Sequence, residues 1–523
     1  MRILLINPPY PVCESLTMPL GLLYLGARLE KAGDQVFLED IQLCRSPMSR
    51  IKETLKTIRP QVVGITSFSI NLPIASKILQ TVKRLNPDAV TVWGGAHVSF
   101  DDQDILHNHP WVDVVVRGEG EETLVEVVDR LKRGKGFDAV PGITWRGGDG
   151  NLQRNPPRPF REDLDRLPRP AWHLLRISQY SAFGDGASVI TSRGCPHRCV
   201  FCVGRKMIGA KGRFRSPAAV VDEMEALVNL GFRRIRVEDD LFTYRRDRAL
   251  TVCKELDRRR LSLRWRAYAR VDTVDPEILK WMRKTGCERV LFGAESGSPE
   301  ILARIRKEIT PEQTRLAVEM TRREGIGVLA SFVLGLPGET PQTLRQTLDF
   351  AESLKVPYTL NLLTPYVGTE VREHAEEWGI QILSNDWRYY GQGEPLTATP
   401  EVRPWHLNRA VNRYRRALRQ YLEDLLEGDR RGTLSKESAE ELEQHRHWGF
   451  LRRLIGEEIL EKSGNVSSGP EGEGAEELSR SLAPHLGMPE AEVQKHLEPH
   501  IRDGQITLTK GPDGTLRWSW AAS

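Results

Sequence analysis

The stretch of sequence that decides the fold is Ser192-Arg193-Gly194-Cys195-Pro196-His197-Arg198-Cys199-Val200-Phe201-Cys202, where three of the seven cysteines fall within eight residues. Three thiolates spaced C-x3-C-x2-C can each bind one iron of a cubane and leave the fourth iron open to another ligand. A single zinc ion would instead need a fourth protein ligand, for which His197 is the candidate inside the loop. A two-cluster ferredoxin would need a second cysteine run, which the sequence lacks. We therefore expect an iron–sulfur cluster with one open iron.

The cysteine loop follows the first of six short apolar runs that alternate with amphipathic helical stretches. The runs are Ala187-Ser192, Arg234-Val237, Arg264-Tyr268, Arg289-Phe292, Gly327-Val333 and Tyr358-Leu363. Six strand–helix repeats within roughly 180 residues predict a partial (βα)6 barrel whose chemistry lies on the loops after the strands.

The first part of the chain, from Met1 to about Lys135, alternates strand and helix patterns in the same way. Such alternation predicts an α/β unit with a parallel sheet covered on both faces, of the Rossmann-like type. Polar or glycine-rich turns follow four of its strands, where such sheets bind ligands: Asn7-Pro8-Pro9, Thr66-Ser67-Phe68-Ser69, Gly94-Gly95-Ala96-His97 and Gly118-Glu119-Gly120-Glu121. No Gly-x-Gly-x-x-Gly follows the first strand, so a dinucleotide site lacks its fingerprint.

Composition shifts divide the chain into five parts. The sequence predicts a sheet domain at 1–140, a proline-rich linker at 141–185, the barrel at 186–400 and a helical region at 401–463. Residues 475–523 read as two short helices and a hairpin that turns at Gly511-Pro512-Asp513-Gly514, an order similar to a small winged helix.

Composition and charge exclude several classes of protein. The 523 residues carry a formal charge of only +4, with 28% charged and 39% hydrophobic residues, which does not favour binding to nucleic acid. Apolar stretches such as Val328 to Leu336 are far shorter than the roughly 20 residues of a membrane helix. The N-terminal apolar run breaks at Asn7-Pro8-Pro9 and has no cleavage site. An odd number of cysteines argues against a disulfide framework, so we expect a cytoplasmic protein.

The cysteine loop, with Phe201 before its last cysteine at the start of a barrel, resembles that of the radical S-adenosylmethionine (SAM) enzymes. The resemblance implies that Cys195, Cys199 and Cys202 bind a 4Fe-4S cluster. It further implies that the open iron chelates the amino and carboxylate groups of S-adenosylmethionine. An electron from the cluster then cleaves S-adenosylmethionine to methionine and a 5′-deoxyadenosyl radical.

Later segments resemble the motifs that follow this loop in the superfamily, in the expected order. They are Arg215-Ser216-Pro217 with Glu223, Glu238-Asp239-Asp240-Leu241-Phe242, Gly293-Ala294-Glu295-Ser296-Gly297, Gly335-Leu336-Pro337-Gly338-Glu339-Thr340 and Thr364-Pro365-Tyr366-Val367-Gly368-Thr369. In the last of these Val367 replaces the family's usual second proline. The resemblance implies SAM contacts from Phe201, Arg215, Ser216, Glu238, Asp239, Asp240, Glu295, Ser296, Gly335 and Pro337.

A Rossmann-like sheet directly ahead of this barrel looks like the domain of cobalamin-dependent radical SAM enzymes, so the resemblance covers about residues 1 to 370. The Asp-x-His-x-x-Gly motif of other cobalamin domains is absent, which implies cobalamin without a protein histidine on cobalt. We expect His97 to form hydrogen bonds rather than to ligate the metal. The implied cobalamin contacts are Asn7, Pro8, Pro9, Thr66, Ser67, Phe68, Ser69, Gly94, Gly95, His97, Gly118, Glu119 and Gly120.

The resemblance implies a C-methyltransferase that acts on an unactivated carbon. The radical would remove a hydrogen atom and methylcobalamin would supply the methyl group, with cobalamin lying between the sheet crevice and the barrel mouth. The alternative is an oxidative cyclase or ring-rearranging enzyme with the same cofactors, similar to the anaerobic cyclase of magnesium-porphyrin synthesis. The family's partners would be a small-molecule, lipid-like or peptide substrate and an electron donor such as flavodoxin or ferredoxin. A third possibility is a peptide- or nucleic-acid-binding module with a sensory cluster, although acids and bases are interspersed in the C-terminal unit.

Overall fold

The computed structural model describes residues 1–11, 16–148, 150–466, 474–510 and 516–521. A largely parallel sheet and then a fully parallel sheet follow each other along the chain, and a helical region and a small antiparallel sheet come after them. Within these described ranges, no helix is long and apolar enough to cross a membrane.

The N-terminal sheet has seven strands, of which the first five in sequence are parallel. In spatial order they are Gln35–Asp40, Arg2–Asn7, Val62–Thr66, Val90–Gly94, Val114–Val116, Ile143–Arg146 and Leu152–Arg154. Apolar clusters cover both faces, since Leu4 and Ile6 belong to one cluster and Ile3 and Leu5 to the other. The helices of this half are Leu20–Lys31, Pro47–Ile58, Leu72–Leu85, Ala96–Phe100, Asp102–Asn108 and Glu121–Lys132. The expected parallel sheet with both faces covered is confirmed.

The last two strands of this sheet fall within residues 141–185, the stretch predicted to be a linker. Ile143–Arg146 pairs antiparallel with Val114–Val116, with Trp145 opposite Val114. Ile143 is fully buried and Trp145 is nearly so, so the hairpin contributes to the core of the sheet. Pairing with the hairpin also satisfies the backbone groups of a strand that would otherwise be a sheet edge.

The second sheet consists of six parallel strands in sequence order, which confirms the expected partial barrel. The strands are Ala187–Val189, Arg234–Val237, Arg264–Ala269, Cys287–Glu295, Gly327–Leu334 and Tyr358–Leu362. Helices connect them at Gly204–Ile208, Pro217–Asn229, Arg246–Arg259, Pro276–Lys284, Pro299–Arg304, Pro311–Arg323 and Pro341–Ser353, and the short helix Glu370–Glu373 follows the last strand. Alternate strand residues face these helices and are buried, as Ile235 and Val237 are, whereas Arg236 between them is not. We call the surface on the side of Arg236 the barrel lumen.

Short elements join the two halves, lie between the barrel strands or follow the barrel. They are Leu164–Arg166, Trp172–Leu174, Ile177–Phe183, Ser192–Arg193, Arg213–Phe214, Val271–Thr273, Gln381–Ile382, Trp387–Tyr389 and Thr397–Ala398. Trp387 returns to the N-terminal half, where its ring lies 4.5 Å from that of His97.

The C-terminal region is helical, as expected, with Pro404–Arg431, Lys436–Gly456 and Ile459–Ser463. After the strand Asn465–Val466 come the helices Gly474–Leu486 and Glu490–Arg502 and the strands Ile506–Lys510 and Leu516–Trp520. The turn predicted at Gly511-Pro512-Asp513-Gly514 lies outside the described residues. One apolar core extends from Leu16 through the barrel strands to Trp520, so the C-terminal elements pack on the rest of the chain.

Candidate cofactor site

A cavity of about 920 Å³ lies between the carboxyl edge of the N-terminal sheet and the mouth of the barrel. Asn7, Thr66 and Gly94 border it from the first sheet, and Glu238 and Asp240 border it from the barrel. Parallel sheets bind ligands at this edge. The two halves therefore share one cavity, into which the loops of both project.

Eight of the thirteen residues predicted to contact cobalamin line this cavity: Asn7, Thr66, Phe68, Gly94, Gly95, Gly118, Glu119 and Gly120. Pro8, Pro9, Ser67, Ser69 and His97 are not among the lining residues. Ser67 is fully buried and accepts a hydrogen bond from Trp93 Nε1 at 2.8 Å. Ser69 is likewise buried and contacts His97. The two serines therefore stabilise the turn through contacts within the protein.

His97 forms polar contacts within the N-terminal half. Its Nδ1 lies 2.8 Å from Ser69 Oγ, and its Nε2 lies 3.3 Å from a carboxylate oxygen of Asp101. The side chain has no exposed surface. Both ring nitrogens are therefore directed at protein atoms.

Gly95 is required by the close approach of two of the turns. Its φ is +109°, and a Cβ at this position would lie 2.4 Å from the Ser67 carbonyl oxygen and 2.7 Å from its nitrogen. Any side chain here would push the Thr66-Ser67-Phe68-Ser69 turn away from its place at the cavity.

The cavity also has a wall that the sequence analysis missed. This wall comes from the helix Leu20–Lys31, the segment before it, the turn after the strand Gln35–Asp40 and the stretch that follows the cysteine loop: Tyr10, Thr17, Met18, Leu20, Leu22, Leu25, Gln42, Val203, Met207 and Ile208. The apolar periodicity of the first helix was the available signal, but it does not distinguish a core face from a ligand-facing surface.

The cysteine loop is closed at its base by a two-residue ladder in which Ser192–Arg193 pairs antiparallel with Arg213–Phe214. Within the loop the Cys195 backbone donates to the Gly209 carbonyl at 3.0 Å, and the Gly204 N–H donates to the Cys202 sulfur at 3.3 Å. Burial raises the pKa of the Cys202 thiol to about 11, and it raises the pKa of Cys195 and Cys199 as well. Thiolates at this site therefore need a bound cation, as iron would provide.

The donor set of the loop fits a cubane better than a single metal ion. Among the described residues, no three Cys, His, Asp or Glu side chains converge as a single-ion site requires. In a cubane each thiolate binds its own iron, so the sulfurs stay apart. His197, the candidate fourth ligand for zinc, lies 3.4 Å from Glu308 through Nδ1.

Asp239 supports the cysteine loop from below and does not line the cavity. Its carboxylate accepts hydrogen bonds from the backbone nitrogens and hydroxyls of Thr191 and Ser192 at 2.5 to 3.0 Å. It is 1% exposed. In the structure, all four of these bonds hold the base of the loop.

Glu238 and Asp240, on either side of Asp239, do line the cavity. A Cβ on Gly204 would lie 3.4 Å from the Cys202 sulfur and 3.5 Å from the Asp240 carboxylate, so this carboxylate lies next to the cysteine loop. Burial and the neighbouring Asp239 raise the pKa of Asp240 to about 6. Glu238 forms a 2.8 Å ion pair with Arg236, whereas Asp240 has no ion pair within the described ranges and is available as an acceptor for a cationic amino group.

Glu295 ends the fourth barrel strand in a left-handed conformation, with φ of +62°. Its Oε1 accepts a 2.7 Å hydrogen bond from Lys307 Nζ. Gly293 makes room for this ion pair, since a Cβ there would lie 2.5 Å from the carboxylate. Ser296 is fully buried and its hydroxyl lies 2.9 Å from that of Thr347, so it is directed into the protein.

The other residues predicted to contact SAM have structural partners. Arg215 forms a 2.7 Å ion pair with buried Glu223, and Ser216 caps the helix Pro217–Asn229. Phe201 packs against the main core. Gly335 N–H donates to Glu339 at 2.5 Å within the turn that contains Pro337. None of these residues lines the cavity, so their contacts with SAM stay predictions.

A buried ion network joins the two halves beside the cavity. Glu119 binds Arg193 at 3.0 Å and Arg213 at 2.8 Å, and Glu121 binds Arg193 at 2.6 Å. Although burial alone would raise the pKa of Glu119, the arginines hold it below its usual value. The loop after the fifth strand and the cysteine loop are therefore fixed to each other.

The chain has clear relatives among known proteins. Residues 189–351 match the Radical SAM superfamily and residues 12–128 match the B12 binding domain. A protein of Pyrococcus horikoshii described as an uncharacterized methyltransferase is 34% identical, over 76% of this chain and 87% of the relative. The chain belongs to the B12-binding radical SAM family. As a B12-binding radical SAM protein it is an enzyme, and the cofactors of its family are a 4Fe-4S cluster, S-adenosylmethionine and cobalamin.

Two further proteins resemble this one. The anaerobic magnesium-protoporphyrin IX monomethyl ester cyclase of Rubrivivax gelatinosus is 31% identical, over 80% of this chain and 77% of the cyclase. The solved structure of OxsB, a cobalamin-dependent S-adenosylmethionine radical enzyme with aqua-cobalamin and S-adenosylmethionine bound, has a TM-score of 0.68. It covers 98% of this chain and 82% of OxsB at 18% identity, which shows a shared fold.

Proposed function

We propose that the chain transfers methyl groups to an unactivated carbon of a small molecule. The observation that carries this proposal is the single cavity bordered both by the sheet turns and by Glu238 and Asp240. A methyl donor and a radical source must lie against the same substrate carbon, and a shared cavity permits this.

The chain's own residues would bind and orient the cofactors. Bound SAM and cobalamin would supply a hydrogen-abstracting radical and a methyl group respectively. We assign Cys195, Cys199 and Cys202 to the cluster and the carboxylates of Glu238, Asp240 and Glu295 to the SAM amino and ribose groups. The apolar wall from Leu20 to Leu25 would exclude water from the reacting centre.

The relatives support methyl transfer as the activity, and they also support cyclisation as an alternative. The Pyrococcus relative is described as a methyltransferase and has the higher identity. Cyclisation is the second candidate, because the Rubrivivax cyclase is 31% identical over most of both chains. An electron donor such as flavodoxin or ferredoxin, and a cytoplasmic location, complete the proposal.

The stoichiometry of SAM cleavage distinguishes the two activities. The chain would be reconstituted anaerobically with iron, sulfide and hydroxocobalamin, gel-filtered, analysed for iron and cobalt, then reduced and given SAM. A methyltransferase is expected to retain both metals and to release one equivalent of S-adenosylhomocysteine per cobalt before substrate is added. Loss of cobalt on gel filtration, or 5′-deoxyadenosine without S-adenosylhomocysteine, would contradict methyl transfer.

A further inference from the structure

Arginines lie side by side on neighbouring strands of the barrel lumen. Arg236 pairs in register with Arg266, and Arg266 pairs with Arg289. One level lower, Arg234 pairs with Arg264. In each strand the neighbours of these arginines that face the helices are buried, so the five side chains share the lumen face.

The carboxylates nearby neutralise only part of this row. Asp185 binds Arg236 at 2.9 Å and Arg266 at 3.1 Å, and Glu238 binds Arg236 at 2.8 Å. Glu288 lies 3.6 Å from Arg234. Arg264 and Arg289 are exposed and have no ion pair or side-chain hydrogen bond within the described ranges. Like charges on paired strand positions destabilise a sheet, so an unneutralised row needs a compensating partner.

From the arginines towards the cysteine loop, the side chains that face the lumen are first mainly apolar and then small. The next level contains Tyr268, Leu291 and Leu329, which are paired in register. The level after that contains Gly293, Ser331 and Thr359. Four residues of strand separate Arg289 from Gly293, about 13 Å at the usual rise. Gly293 lies beside the Glu295–Lys307 pair, at the end of the barrel where the cysteine loop lies.

We propose that the row Arg236–Arg266–Arg289 binds an oxyanionic group of the substrate, a phosphate or a carboxylate. A guanidinium group binds a phosphate or a carboxylate through paired hydrogen bonds. A cleft lined by positive charges also raises the local concentration of anions. The apolar middle level accommodates the body of the molecule, and its far end reaches the cofactors. This inference rests on the proposed function, because it identifies the substrate of that site as an amphiphilic anion.

Binding of three small probes to the reconstituted full chain, with SAM present, tests the proposal. The probes are 1-naphthyl phosphate, 1-naphthoate and the uncharged 1-naphthol, measured by anaerobic calorimetry. At least one anion is expected to bind saturably and more tightly than naphthol, with an affinity that falls as salt is added. The tighter of the two anions identifies the phosphate or the carboxylate class.

Arg289→Met is the decisive variant, because Arg289 has no ion pair to lose within the described part of the chain. It is expected to weaken anion binding by about tenfold or more. Arg322→Met, which removes an exposed arginine from the helix Pro311–Arg323, is the matched control and should bind as the unsubstituted chain does. Arg266→Met should weaken binding further.

Two results would overturn the proposal: no saturable binding of either anion, or equal binding by Arg289→Met. Iron, cobalt and SAM binding measured on the same preparations separate this from failure of the proposed function. Full cofactor content without anion binding contradicts the anion site alone, whereas loss of cobalt contradicts methyl transfer alone.

Discussion

The guanidinium of Arg193 lies 3.0 Å from the carboxylate of Glu119, although the two residues belong to different halves of the chain. Arg193 stands two residues before the first cysteine of the loop, and Glu119 stands in the turn after the fifth strand of the N-terminal sheet. The two side chains are only 11% and 13% exposed. A buried ion pair thus connects the loops assigned to the two cofactors.

Arg193→Met should destabilise the chain and loosen cobalamin together. The variant leaves Glu121 without its partner, and removing one member of a buried pair costs about 3 kcal/mol or more. Urea unfolding measures the first effect, and cobalt retained through gel filtration measures the second. Arg258→Met is the control, because Arg258 pairs with Glu255 on an exposed helix face. Equal behaviour of the two variants would contradict a coupling role.

Replacing any one loop cysteine should abolish cluster binding. Cys195→Ala, Cys199→Ala and Cys202→Ala each remove one of three thiolates, and a cubane held by two is labile. Iron and sulfide analysis after reconstitution, with the electron paramagnetic resonance signal of the reduced cluster, provides the measurement. Cys44→Ala, on a half-buried cysteine outside the loop, should keep full iron content. Normal iron in any loop variant would show that another residue replaces that ligand.

Glu339→Gln should change how stability depends on pH. Burial raises the pKa of Glu339 to about 8, and one of its oxygens has no hydrogen-bond partner. Between its ordinary pKa and pH 8 the folded chain holds a proton that the unfolded chain releases. Stability therefore falls by about 1.4 kcal/mol per pH unit as pH rises.

The glutamine variant keeps an acceptor for Gly335 N–H and does not titrate. Urea midpoints should agree with those of the unsubstituted chain near pH 5 and exceed them at pH 8. A parallel pH dependence in both proteins would show that Glu339 is ionised in the folded state. Glu377→Gln, on an exposed side chain, controls for the loss of a surface charge.

Gly95→Ala should displace the turns at the cavity. The new methyl group would meet the Ser67 backbone at 2.4 Å, and the positive φ adds strain. We expect a loss of stability greater than about 1 kcal/mol and weaker cobalt retention. Gly449→Ala, in a helix with nothing within 4 Å of the added carbon, should instead stabilise by about 0.5–1 kcal/mol. An unchanged cobalt content in Gly95→Ala would contradict the assigned role of this turn.

Sequence patterns predicted the strand–helix alternation because periodicity is local. They also located the turns at the cavity, since loop position follows from strand order in a parallel sheet. They did not reveal that Asp239 clamps Thr191 and Ser192, because that contact joins residues 47 to 48 positions apart. Similarly, they did not reveal that Arg215 forms a core ion pair and that Ser216 caps a helix, and the contacts of these two residues with SAM stay predictions. The arginine row became visible only once strand register was known.

Both halves contribute walls to the cavity, so both should contribute to the free energy of cobalamin binding. An excised N-terminal sheet would present its turns on one side only, so cobalamin affinity measured on that fragment would underestimate that of the whole chain. The missing free energy belongs to the barrel side, where Ser192, Val203 and Met207 line the same space. Ligand occupancy should therefore also report on whether the two halves are correctly docked, because each half completes the other's binding surface.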